Sequence, residues 1–166
     1  MKKINKLLVL LLLVATLGLT ACSKNVEGTL TEIMDKIYAD VDTGELKVET
    51  VDILNPAPEL EMDEAAINDL VIYTIGTTEI EYKEIYESRP NNSSIPYSVV
   101  LVRMEEGADV EAAKTAIKEN VNPRKWFCVG VEPEDVIVKS KGDLIILIMV
   151  GDENIRTKLE KGFDNL

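Results

Sequence analysis

Two side chains in this sequence carry a thiol, Cys22 and Cys128, and none carries an imidazole. Without histidine, nucleophilic triads that use it as a base, and metal centres that use it as a ligand, are excluded. The chemistry left to the chain is that of thiols, 30 carboxylates, 18 cationic groups and five phenols.

Cys22 sits in a distinctive setting. Lys2, Lys3 and Lys6 precede an apolar stretch from Leu7 to Ala15 that continues through Leu17 to Leu19. A basic start followed by an apolar core shorter than the roughly 20 residues of a comfortable bilayer span reads as an export signal, not a permanent transmembrane helix. The tetrapeptide Leu19-Thr20-Ala21-Cys22 resembles the recognition box of lipoprotein signal peptidase at all four positions. It implies cleavage after residue 21 and a thioether-linked diacylglycerol on Cys22. We expect residues 1–21 to be a cleaved signal peptide, 22–28 a lipidated tether and 29–166 a single domain. The expected location is the extracytoplasmic side of the cell membrane, held by the lipid on Cys22, since two or more acyl chains anchor stably where one is marginal.

Cleavage removes three lysines and no acid, leaving 15 basic and 30 acidic side chains and a formal charge of −15, against −12 for the whole chain. Such a balance repels phosphate backbones and anionic headgroups, so no nucleic-acid partner is expected. With Cys22 committed to lipid, Cys128 has no partner for an intrachain disulfide. The domain must then stand on its core, which 145 residues can supply.

Cys128 ends the run Trp126-Phe127-Cys128, after Arg124 and Lys125. Nearby cations could lower a thiol pKa and make a nucleophile, but the usual companion base is missing. The preferred reading is an apolar plug closing the core, with Cys128 a small buried hydrophobe. Asp40, Asp42, Gly44 and Glu45 suggest a calcium loop, yet counted from Asp40 the fifth, sixth and twelfth positions hold Gly44, Glu45 and Val51, which breaks the EF-hand register. The clusters Glu59-Glu61-Asp63-Glu64, Glu105-Glu106-Asp109 and Glu132-Glu134-Asp135 read as solvated faces and helix starts. Tyr73, Tyr82, Tyr86 and Tyr97 could stack on sugars or peptides, though core-edge packing is preferred. No catalytic residue, cofactor site or metal site is assigned.

Several elements must position these groups. Thr29 and Glu32 have capping-box spacing, and Leu30, Ile33, Met34, Ile37 and Val41 follow at helical spacing, giving a helix over about 29–40. Asp42 to Glu61 reads as an irregular connection with an extended piece at Leu46 to Ile53. Asp63 caps a short helix carrying Ala66, Ile67 and Leu70, and Gly76 then closes a turn region. Thr78, Ile80, Tyr82 and Tyr86 alternate with Glu79, Glu81, Lys83 and Glu87, the period of a half-exposed strand with those charges outward. Arg89 to Ser94 is a loop by composition. Tyr97 to Met104 is a central strand, and Gly107 to Asp109 opens a helix bearing Val110, Ala113, Ile117 and Val121, stopped at Asn122-Pro123. Val136 and Val138, the turn Ser140 to Asp143 and the apolar run Leu144 to Val150 form a hairpin. Asp152 caps a last helix with Ile155, Leu159 and Phe163 inward. The fold class is α+β, a mostly antiparallel sheet of about four strands covered by helices.

From about Leu30 to Val150 the chain resembles the short bacterial lipoproteins catalogued as domain of unknown function 4358. The resemblance rests on the lipobox cysteine, the early amphipathic helix, a helix end at Asp69-Leu70 and the acid-rich alternating segment. It rests further on the central strand, an Ala- and Lys-rich helix, the single Trp126, and the Lys141-Gly142 turn before an apolar strand. It implies an exported protein of Gram-positive type and brings no catalytic residues with it.

These observations favour a membrane-anchored binding or accessory module whose partner is a protein, a peptide or cell-wall material. A solute receptor for a transporter and a carboxylate- or thiol-based enzyme are the alternatives, the first disfavoured by size. Cys22→Ala is expected to abolish fatty-acid labelling and move the protein from the membrane to the soluble fraction. Retained labelling would sink the lipoprotein reading.

Overall fold

The computed structural model describes residues 25–92 and 94–166; the expected signal peptide and Cys22 lie outside them. Five strands form one sheet: β1 (Val48–Asp52), β2 (Tyr82–Pro90), β3 (Tyr97–Met104), β4 (Ile137–Lys141) and β5 (Leu144–Val150). Their order is β1-β2-β3-β5-β4, and every neighbouring pair is antiparallel. Among the described residues, four α-helices, α1 (Leu30–Ile37), α2 (Glu64–Ile75), α3 (Val110–Asn120) and α4 (Glu153–Asp164), cover it. The class is α+β, with five strands instead of about four. The additional one is β1, which the sequence marks only as an extended piece because acids and Gly44 surround it.

Each helix starts where a side chain can accept from the orphan amides of the first turn. Thr29 and Glu32 form a complete capping box, and Asp63, Asp109 and Asp152 each accept from the amide three residues on. A cap of this kind contributes about 1 kcal/mol. At the other end of α2, Gly76 adopts φ 85° with its α-carbon against the backbone of Asn120 and Val121.

Strands β3 and β5 sit in the middle and are covered on both faces. Their alternation therefore separates two apolar layers instead of an apolar face from a wet one. Val100, Val102, Ile145, Leu147 and Met149 join Ile53, Val71, Ile75, Ile85 and Ile117 under α2 and α3. Val99, Leu101, Leu144, Ile146, Ile148 and Val150 join Leu30, Ile33, Ile37, Leu159 and Phe163 under α1 and α4. The seven apolar residues of β5 are all buried, as their unbroken run foretells.

Strand β2 departs from the expected alternation. The register with β3 shifts between Tyr82, opposite Met104, and Glu84, opposite Arg103, so one extra residue is accommodated at Lys83. Such a bulge reverses the inward phase of everything that follows. Ile85 and Glu87 consequently turn toward the α2/α3 layer, where both are buried. Thr78 to Glu81 precede the strand, and the strand continues through Arg89 and Pro90, which composition assigns to a loop.

At the opposite end of the sheet, Arg103 gathers the entry segment. Its guanidinium donates to Glu84 at 3.1 Å, to Asp143 at 2.7 Å and to the carbonyls of Val26 at 3.1 Å and Gly28 at 2.8 Å. The Val26 amide donates to Asp143 at 3.0 Å. Residues 26–28 are thus bound to the body of the domain.

Helices α1 and α4 cross at Gly162, where a Cβ would stand 2.3 Å from the carbonyl oxygen of Ile37. Glycine to alanine inside an exposed helix ordinarily stabilises by close to 1 kcal/mol. Here the two backbones must separate, and Gly162→Ala is expected to destabilise by about 1–3 kcal/mol, seen as a lower urea midpoint at unchanged slope.

Candidate functional site

The β2 carboxylate that the bulge turns inward is the starting point. Glu87 is 1% exposed, on a layer otherwise built from aliphatic side chains. An ionised carboxylate there requires a compensating charge and hydrogen bonds. Both are supplied. Lys125 Nζ lies 3.0 Å from Glu87 Oε1 with its side chain 2% exposed, and the Ser98 hydroxyl donates to the same oxygen at 2.5 Å. Arg89 places a guanidinium nitrogen 3.3 Å from the second oxygen.

Each member is positioned by an element already described. Glu87 and Arg89 lie two residues apart on β2 and so share a face, and Ser98 enters the same layer from the start of β3. Lys125 comes from the segment joining α3 to β4, which closes on itself where the Val131 amide donates to the Pro123 carbonyl at 2.9 Å. Tyr73, near the end of α2, donates its hydroxyl to the Lys125 carbonyl at 3.3 Å. The Lys125 ammonium lies 4.9 Å from the centroid of the Tyr73 ring and 5.5 Å from that of Trp126, within cation–π range of both. Burial pulls the Lys125 ammonium below the ordinary lysine range, with the Glu87 charge opposing that shift. The Tyr73 hydroxyl is pushed above its ordinary range by burial and then by the same carboxylate.

Around this network is a cavity of about 290 Å³, lined by Tyr73, Glu87, Arg89, Tyr97, Lys125 and Trp126, with Pro90, Asn91 and Asn92 at its edge. Its buried ionic groups are Glu87 and Lys125, while Arg89 and Tyr73 are open to solvent. Ser98 beside Lys125 has the composition of a serine–lysine nucleophile pair. Its hydroxyl, however, is engaged by Glu87 and has no exposed surface, so it is not placed to attack a molecule in the cavity.

The residues singled out by sequence fare unevenly. The apolar plug is corrected: Trp126 packs against the core, but Phe127 is 75% exposed and Cys128 is exposed, at φ 60°. The physical reason is that Lys125 turns inward to Glu87, and the next turn of chain carries Phe127 and Cys128 outward. Neither cation beside the thiol serves it, since Lys125 is held by Glu87 and Arg124 by Glu132 at 3.0 Å. The outward placement of Glu87 is likewise corrected by the bulge. Of the tyrosines, Tyr97 is buried, its hydroxyl 2.7 Å from that of Tyr38, which donates to Ser88 at 3.0 Å. Tyr82 and Tyr86 are half-buried, and Tyr73 is 44% exposed at the cavity. Asp42 accepts from the Gly44 amide at 2.8 Å, and among the described residues no cluster of three metal-ligating side chains occurs. The acidic groups serve locally: Asp63 and Asp109 cap helices, and Asp135 pairs with Arg156 at 2.8 Å.

Glu87, Ser98 and Lys125 escape notice as a set because 38 residues separate the two charges. The legible signal is Ile85, an aliphatic residue out of phase with Tyr82, which betrays the bulge and carries Glu87 inward with it.

No family model matches the chain, and no curated protein or solved structure matches it either. Among the described residues no helix is long and apolar enough to cross a membrane.

Removing one partner of a buried pair strands the other charge. Lys125→Met is expected to destabilise by about 3–5 kcal/mol, and the double variant Glu87→Gln with Lys125→Met to regain much of the loss. Urea denaturation of the three proteins measures this; additive losses would show that the two side chains are energetically independent.

Proposed function

We propose that this protein is a lipid-anchored extracytoplasmic binding module whose ligand occupies the cavity over Glu87 and Lys125. One observation carries the reading. The polar intrusion into the α2/α3 layer formed by Glu87, Ser98 and Lys125 lies beneath a concave surface with an exposed tyrosine and a guanidinium at its mouth. Ligand sites have this character, mostly preformed and combining apolar walls with a few convergent polar groups. The anchoring half of the proposal rests on the lipobox at Cys22. The cavity matches a small molecule or the end of a peptide in size, and the enclosed state of Ser98 disfavours the enzymatic alternative.

Thermal melting of the full chain against a panel of neutral and charged organic acids and short peptides tests the binding reading. At a hundredfold excess over Kd a ligand adds about 2.7 kcal/mol, which raises Tm by roughly 5–10 °C for a domain of this size. At least one class of compound is expected to give such a rise. Tyr73→Ala is expected to cut it at least threefold, measured from the variant's own unliganded Tm, which loss of the Tyr73 contacts to Lys125 lowers. A panel without effect, or one acting equally on both proteins, would overturn the reading.

A further inference from the structure

The cavity lining has a charge sign opposite to that of the chain. The protein as a whole carries a formal charge of −12. The cavity is lined by two cations, Arg89 and Lys125, against one anion, Glu87, a local balance of +1. Glu49, opposite Arg89 in the β1–β2 register, lines the neighbouring hollow with Leu60 and Leu70 and not this one, and Arg89 stands between the two, bordering both; no ion pair joins it to Glu49, its carboxylate partner being Glu87. Lys125 uses its ammonium on Glu87 and Ser98, leaving one of its three donors uncommitted. Arg89 is 36% exposed and spends one nitrogen on Glu87, leaving most of its planar fork of donors free.

We propose that the ligand is a monocarboxylate with an apolar or aromatic body: its carboxylate received by Arg89 and Lys125, its body laid against Tyr73 and Trp126. This inference rests on the binding reading above and assigns the chemical class of its ligand. Guanidinium and carboxylate match in bidentate geometry. The charge count selects a singly charged anion, because one negative charge cancels the local +1. A dianion, such as phosphate above its second pKa, would leave an excess negative charge beside a buried carboxylate. The shared chemistry is available from a free organic acid or from the C-terminus of a peptide.

Trp126 is the sole tryptophan of the chain and lines this cavity, so its fluorescence reports on this site. At about pH 8.5, where phosphate is a dianion, the full chain is titrated with phenylacetate, with the N-acetylated tripeptide Gly-Gly-Phe bearing a free C-terminus, with the amide of each, and with inorganic phosphate. Saturable changes in Trp126 emission are expected from both carboxylates, with the amides and phosphate at least tenfold weaker. Arg89→Gln is expected to weaken the carboxylates about tenfold and leave the amides unchanged, a difference that a merely structural role of Arg89 would not produce. Tighter binding of the peptide assigns the source as a chain terminus, and equal or tighter binding of phenylacetate assigns a free acid; both support the proposal. Amides or phosphate binding as tightly as the carboxylates, or Arg89→Gln acting on acid and amide alike, would overturn the monocarboxylate while leaving a ligand site in place. Absence of any carboxylate response would also overturn it, and the binding reading itself would then stand or fall on the melting panel.

Discussion

The β3–β5 pair has no face turned to water, and this constraint orders the rest of the molecule. Because helices cover the sheet on both sides, every side chain of β5 and nearly every one of β3 must be apolar. Polar groups can enter only near the strand ends. On β3 they do so twice, at Ser98 near its start and at Arg103 near its finish, and each gathers a hydrogen-bonded cluster. The central strands are therefore an apolar bar with a polar assembly near each end, one holding the entry segment and the other lining the cavity.

The cavity assembly is not explained as a source of stability. Burying an ion pair costs several kcal/mol of desolvation for each charge, and well-packed hydrophobic side chains in its place are commonly no worse. What Glu87 achieves is geometric. It gives the segment after α3 one place to put Lys125, and with Lys125 fixed, Trp126 is directed into the wall and Phe127 outward. The Tyr73 hydroxyl adds a second tie from α2 to the same backbone. A cavity built this way keeps its shape without a ligand, which lowers the ordering cost of binding.

Much of the fold is legible in the residues because its signals are local. The N-caps Thr29, Asp63, Asp109 and Asp152 lie where the sequence places them, and the runs Tyr97 to Met104 and Leu144 to Val150 announce strands buried on both faces. Strand β1 is faint because edge strands need fewer apolar residues, and its pattern is partly exposed. The cavity is least legible, for two reasons. A single bulged residue at Lys83 inverts the meaning of an alternating pattern, turning Glu87 from a surface charge into a buried one. The pairing of Glu87 with Lys125 is set by three-dimensional packing across 38 residues, a separation over which no periodicity extends.

The grip of Arg103 on Val26 and Gly28 acts as a mechanical mount. A chain entering through a slack linker would let the domain tumble and present its cavity in any direction. Here the backbone is hydrogen-bonded to Arg103 of β3 and to Asp143 from Val26 onward, so residues 26–28 move with the sheet. The six residue steps of β3 from Arg103 to Tyr97 separate that mount from the cavity by roughly 20 Å at ~3.3 Å per residue. The sheet is thus a stiff lever arm, with residues 26–28 fixed near one end and the mouth of the cavity carried near the other.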